Sequence, residues 1–160
     1  MKLLGTPQAR LVGLGELAAE GVRDDVVRAA AGRVLGAAAT PRERAAAIMR
    51  RVQALPYRPD PVYADGADEV FPVVWVLRWG GDCDDLVTAA AALDTLAGLR
   101  WRFVWLLQPG EALDHVSLEV WLEERWQWQE VTVAARLGES PGDAMARLGP
   151  VAMERLTGRA

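Results

Sequence analysis

The 160-residue chain carries one cysteine, Cys83, and one histidine, His115, so chemistry that needs a thiol or an imidazole has a single candidate for each. Nucleophilic catalysis by cysteine requires a thiolate, an imidazole that takes and returns its proton, and a polar group that fixes the imidazole's tautomer. The chain supplies all three in order. Gly80-Gly81 breaks the chain before Asp82-Cys83-Asp84-Asp85, and an alanine-rich apolar run continues to Gly98, the pattern of a turn feeding a helix. Cys83 then lies in the first helical turn, where unpaired amide hydrogens and the helix dipole favour a thiolate. His115 opens a stretch of alternating side chains, and Glu130 stands in the next such stretch.

Taken singly, each residue has a plainer explanation. Free cysteines are among the most buried side chains, and an isolated histidine is more often structural than catalytic. Asp82, Asp84 and Asp85 together with His115 have the chemistry of a divalent-cation site, but helix capping is the commoner use, with Asp82 as N-cap and Asp85 at N3. No metal is assigned. All seven tryptophans fall between positions 75 and 128. Trp101, Trp105, Trp121, Trp126 and Trp128 read as strand residues filling a small core, while Trp75 and Trp79, just before the cysteine turn, are candidates for the wall of a substrate cleft together with Asp82.

The elements that must position these groups follow from periodicity. The first half predicts two or three helices, the clearest starting at Thr40-Pro41-Arg42-Glu43, where a capping box and a proline at N1 mark an N-terminus, and running to about Leu55. The prolines of Tyr57-Arg58-Pro59-Asp60-Pro61 forbid further helix, and a loop containing Gly66 follows. Trp101 to Leu107 predicts a strand. His115–Leu122 and Trp126–Val133 predict an antiparallel hairpin, with Val116, Leu118, Val120 and Leu122 on a core face and His115, Ser117 and Glu119 on the other. His115 and Glu130 oppose each other directly only with a four-residue loop centred between Leu122 and Glu123. A tight turn at Glu124-Arg125 sets Glu119 against Glu130 and leaves His115 about 13 Å along the strand. Ser140-Pro141-Gly142-Asp143 caps a further helix, broken near Gly149-Pro150.

These motifs resemble the transglutaminase-like superfamily, whose architecture is related to papain-type cysteine peptidases, and in particular its short bacterial and phage members. The resemblance rests on Gly80-Gly81-Asp82-Cys83-Asp84-Asp85-Leu86 entering an apolar helix, on Leu99 to Val104 as the strand after it, and on His115 to Val120 followed by Arg125 to Thr132. It covers roughly 57–133. It implies Cys83 as nucleophile, His115 as general base and acid, and Glu130 as the orienting carboxylate. Two positions depart from the pattern: aspartate is commoner where Glu130 stands, and Pro72 falls where many phage-type relatives carry glutamine. The acidic Asp82, Asp84 and Asp85 also oppose thiolate formation.

Composition closes off other classes. With 51% hydrophobic and 25% charged residues the chain is an ordinary globular sequence, and a net charge of -4 gives no basic footprint for nucleic acid. One cysteine and one histidine are too few for a structural zinc site or an internal disulfide. The N-terminus shows neither a secretory h-region nor a membrane span, so a cytoplasmic location is expected. The expected fold is α+β, a single domain over 1–160: N-terminal helices in 1–56, a catalytic-type core in 57–133 with the cysteine helix packed on an antiparallel sheet, and C-terminal helices in 134–160. The expected activity is amide hydrolysis or acyl transfer through a thioester on a peptide or protein, without a cofactor. The alternative is a non-catalytic structural or interaction module of a phage particle, partnered by phage structural proteins or by a second copy of the chain.

Overall fold

The computed structural model describes residues 2–3, 6–60, 68–108 and 111–149. In chain order the elements are β1 (Lys2–Leu3), α1 (Pro7–Gly21), α2 (Asp25–Leu35), α3 (Pro41–Gln53), β2 (Asp68–Glu69), α4 (Val73–Trp79), α5 (Cys83–Leu96), β3 (Trp101–Gln108), β4 (Glu111–Leu122), β5 (Arg125–Gln129) and α6 (Pro141–Leu148). The second of the expected C-terminal helices falls outside the described residues.

Side-chain caps start the N-terminal helices. The Thr6 hydroxyl accepts from the Ala9 amide, and Asp24 accepts from Val26 and Val27. Thr40 and Glu43 form the full reciprocal box expected at α3, and the Thr40 and Ala39 amides hold the Glu43 carboxyl below the ordinary carboxylate range. Ala45, Ile48, Met49 and Val52 then recur at the 3–4-residue spacing that buries one face. Helix α4 was not foreseen. Pro72 sits at its N-cap, Val73 and Val76 face the core, and Gly80, at φ 82°, ends it.

Helix α5 is the centre of the molecule. Every side chain from Asp84 to Asp94 is buried, because α1, α2, α3 and α4 pack around it on one side and β3 and β4 on the other. Its alanines at 89–92 leave room for so many neighbours. Gly98, at φ 72°, closes its C-terminal end, as the sequence suggested.

Strands β3, β4 and β5 form an antiparallel meander, and β1 pairs with β2 in a separate two-stranded ribbon. The β4–β5 turn is Glu123-Glu124, with φ of 52° and 61°, the two positive values a type I′ connection needs. Strand β5 stops at Gln129, short of the expected Val133, and Gly138 donates to the Trp128 carbonyl, covering part of its outer edge. The expectation of one covered face on β4 is corrected: residues 115–120 are buried on both faces. Leu118 pairs with Gln129, whose amide reaches Asp94 on α5 and the Ala45 carbonyl on α3, so Val116, Leu118 and Val120 face the helices. The strand tryptophans are also corrected. None is fully buried: aliphatic side chains fill the core, which extends to Ala144 on α6, Trp101 and Trp105 pack against it from partly buried positions, and Trp121, Trp126 and Trp128 are half-buried. Trp121 and Trp126 meet edge to face, with Arg100 over the former and Arg102 over the latter.

Candidate active site

The turn before Cys83 is held by a segment 25 residues upstream. Gly81 donates to the Pro56 carbonyl at 3.2 Å and accepts from the Arg58 amide at 3.0 Å, pairing Tyr57 with Gly81 in parallel. Both glycines are sterically required: a Cβ on Gly80 meets the Pro56 carbonyl, and one on Gly81 meets the Asp85 side chain. Cys83 is the first residue of α5 and half-buried.

Asp82 occupies the N-cap position with extended backbone, as expected, but its side chain makes no capping bond, a correction to the role given it above. Asp82, Asp84 and Asp85 are buried, with carboxylate oxygens within 4.8 Å of one another; His115 is not in this group. Asp85 accepts from the Phe71 amide at 2.7 Å. Burial, reinforced by the charges of Asp82 and Asp60 and opposed by that amide, pushes its carboxyl up to about 8. At neutral pH Asp85 is therefore mostly uncharged, and the field against a thiolate is weaker than three formal charges suggest.

His115 and Glu130 are brought together. Nε2 of the imidazole lies 2.8 Å from Oε2 of the carboxylate, and both side chains are sealed from solvent, at 1% and 0% exposure. Thr132 donates its amide to Oε1 at 2.6 Å. Burial opposes ionisation of Glu130, but the positive charge of His115, its hydrogen bond and the Thr132 amide outweigh it, so the carboxyl is held below its ordinary value. An ionised carboxylate only accepts, which places a ring hydrogen on Nε2; whenever the ring is neutral, its lone pair is then on Nδ1. Nδ1 is buried and, among the described residues, has no hydrogen-bond partner.

Neither hairpin register considered from sequence is the one formed. The ladder ends at Leu118–Gln129, and projecting it one step points Glu130 toward Ser117, so from just beyond β5 Glu130 reaches His115 two residues off the direct pairing. The two side chains bridge that offset with a 2.8 Å contact.

Of the expected cleft residues, Trp75 is half-buried and stacked on Phe71 at 4.3 Å between centroids. Trp79 is 43% exposed at the end of α4, with Arg78 over its ring. Sequence reasoning passed over Gln53, the last residue of α3, whose side-chain amide contacts the Glu130, Val133 and Ala135 carbonyls. No local signal distinguishes that glutamine from a solvated helix end.

A sequence model described as the transglutaminase-like superfamily matches residues 28–132. The match begins within α2 and takes in α3, further upstream than the motifs themselves. Comparison with curated proteins and with solved structures returned no match. Among the described residues no helix is long and apolar enough to cross a membrane.

Proposed function

The chain belongs to the transglutaminase-like superfamily, and from that premise we propose that it is a cysteine-dependent amide hydrolase or acyltransferase acting on a peptide or protein amide. The observation that carries the reading is the buried His115–Glu130 bond, which commits Nε2 and leaves Nδ1 as the nitrogen for proton exchange. Structural histidines are ordinarily satisfied at both ring nitrogens when buried.

In this reading Cys83 loses its proton to His115 Nδ1, and the sulfur attacks the amide carbonyl carbon to form a tetrahedral intermediate. Backbone amides at the start of α5 stabilise the oxyanion, and Asp82, which accepts no capping bond there, does not compete for them. His115 returns the proton to the leaving amine, the C–N bond breaks and a thioester forms. Water attacks the thioester in hydrolysis, a second amine in acyl transfer; His115 takes a proton from either, the C–S bond breaks, and the proton passes back to the departing Cys83 sulfur. Glu130 holds the ring and offsets the imidazolium charge throughout.

The test is the rate of Cys83 alkylation by iodoacetamide as a function of pH, in the parent and in His115→Ala. The reading expects a reactive thiolate well below pH 8 in the parent and a profile moved toward that of a free thiol, about 8.5, in the variant. Two superimposable profiles at the free-thiol position refute it and leave a domain that keeps the fold without the chemistry.

A further inference from the structure

Glu130 has left the sheet by the time its side chain is needed. Strand β5 ends at Gln129, and the backbone over 130–135 forms neither helix nor strand, so no ladder fixes it. What meets it is α3. Along one flank of that helix, Arg42 donates to Gln127 at 3.1 Å, the Ala45 carbonyl accepts from Gln129 at 3.1 Å, and Gln53 closes the series. Nε2 of Gln53 lies 2.9 Å from the Glu130 carbonyl, 2.8 Å from that of Val133 and 3.0 Å from that of Ala135. One amide nitrogen carries two hydrogens, so three carbonyls from a single irregular stretch converge on one donor.

We propose that Gln53 is a positioning residue for the His115–Glu130 pair: α3 is the template for β5, and its last side chain sets the backbone from which the Glu130 carboxylate reaches the imidazole. The inference rests on the functional reading only in supposing that the pair serves Cys83; the clamp itself acts on the pair whether or not catalysis occurs. Pinning matters because Glu130 bonds diagonally. A backbone displacement of about 1 Å takes the 2.8 Å contact beyond hydrogen-bond range.

His115 is the sole histidine, so its imidazole N–H proton gives an unambiguous NMR resonance, downfield and protected from exchange while the Glu130 bond holds. Gln53→Met keeps the length and removes the donor. With the fold retained by circular dichroism, it is expected to lose or broaden that resonance, as Glu130→Gln does, and to slow Cys83 alkylation at pH 7 at least tenfold. An unchanged resonance in Gln53→Met, even alongside a lower melting temperature, overturns the proposal and makes Gln53 a stabilising contact only. Should Gln53→Met not fold, Gln53→Asn retains the amide but withdraws it by one methylene, and the same two outcomes decide. If alkylation of the parent proves indifferent to His115→Ala, the enzyme reading fails while the resonance still judges the clamp.

Discussion

Shortening Glu130 by one methylene is the sharpest perturbation of the site, because it keeps the carboxylate and withdraws it from the imidazole. Glu130 stands diagonal to His115, and its Oε2 lies 2.8 Å from Nε2. Glu130→Asp removes about 1.5 Å of reach, one C–C bond. On a fixed backbone that opens the contact to about 4 Å, outside hydrogen-bond range. The lost charge-assisted bond between two buried groups costs about 1.5–3 kcal/mol of stability, or about 2–4 °C of melting temperature per kcal/mol for a domain of this size. A misplacement of about 1 Å at a reacting group costs on the order of 100-fold in rate. Glu130→Gln, which keeps the length and loses the charge, separates reach from electrostatics. Both variants are assayed by Cys83 alkylation against pH and by thermal unfolding. If Glu130→Asp retains the parental alkylation profile and melting temperature while Glu130→Gln loses both, the backbone follows the shorter side chain and the argument from reach is wrong.

Four further outcomes are expected. Asp94 is fully buried against Gln129, and burial pushes its carboxyl up to about 8, so the folded state holds an extra proton between about pH 4 and 8 and stability falls as pH rises through that window. Asp94→Asn flattens the profile there by up to about 1.4 kcal/mol per pH unit, read from urea midpoints. Glu130 has the opposite sign: its depressed carboxyl contributes stability above the unfolded value near 4.3, lost as pH falls through the folded one, and Glu130→Gln removes that acid limb. Gly81→Ala forces a Cβ into the Asp85 side chain, Cβ included, so a double-mutant cycle with Asp85→Gly should recover part of the loss, whereas Gly80→Ala meets the Pro56 backbone and has no such rescue. Glu124, exposed at φ 61°, gains from glycine: Glu124→Gly is expected to stabilise the hairpin by about 0.5–1 kcal/mol in thermal unfolding.

What the sequence revealed was what local chemistry determines. The Thr40–Glu43 box forms as written, Cys83 opens the central helix and His115 lies on a strand, all legible from local pattern, whereas Glu130 falls one residue past the end of β5. Quantities set by distant parts of the chain were not. The β1–β2 pairing joins residues more than sixty positions apart without a local signal. The diagonal reach of Glu130 depends on a two-residue turn made of glutamates, which lack the glycine or asparagine that announces such turns. Asp82 stands at the cap position, where its residue type predicts a capping bond, yet its side chain makes none. Pattern likewise hid the burial of polar residues on β4: Ser117 and Glu119 have the look of solvent-facing positions and are enclosed.

The enclosure of α5 bears on how a substrate is admitted. A rod enclosed from Asp84 to Asp94 resists rolling and sliding, so on the proposed reading the sulfur at its tip is a fixed point and adjustment to the shape of an incoming chain falls to the surrounding walls. Selectivity in such a molecule is a property of what surrounds the thiol, and variants that broaden or narrow it should be sought outside that rod.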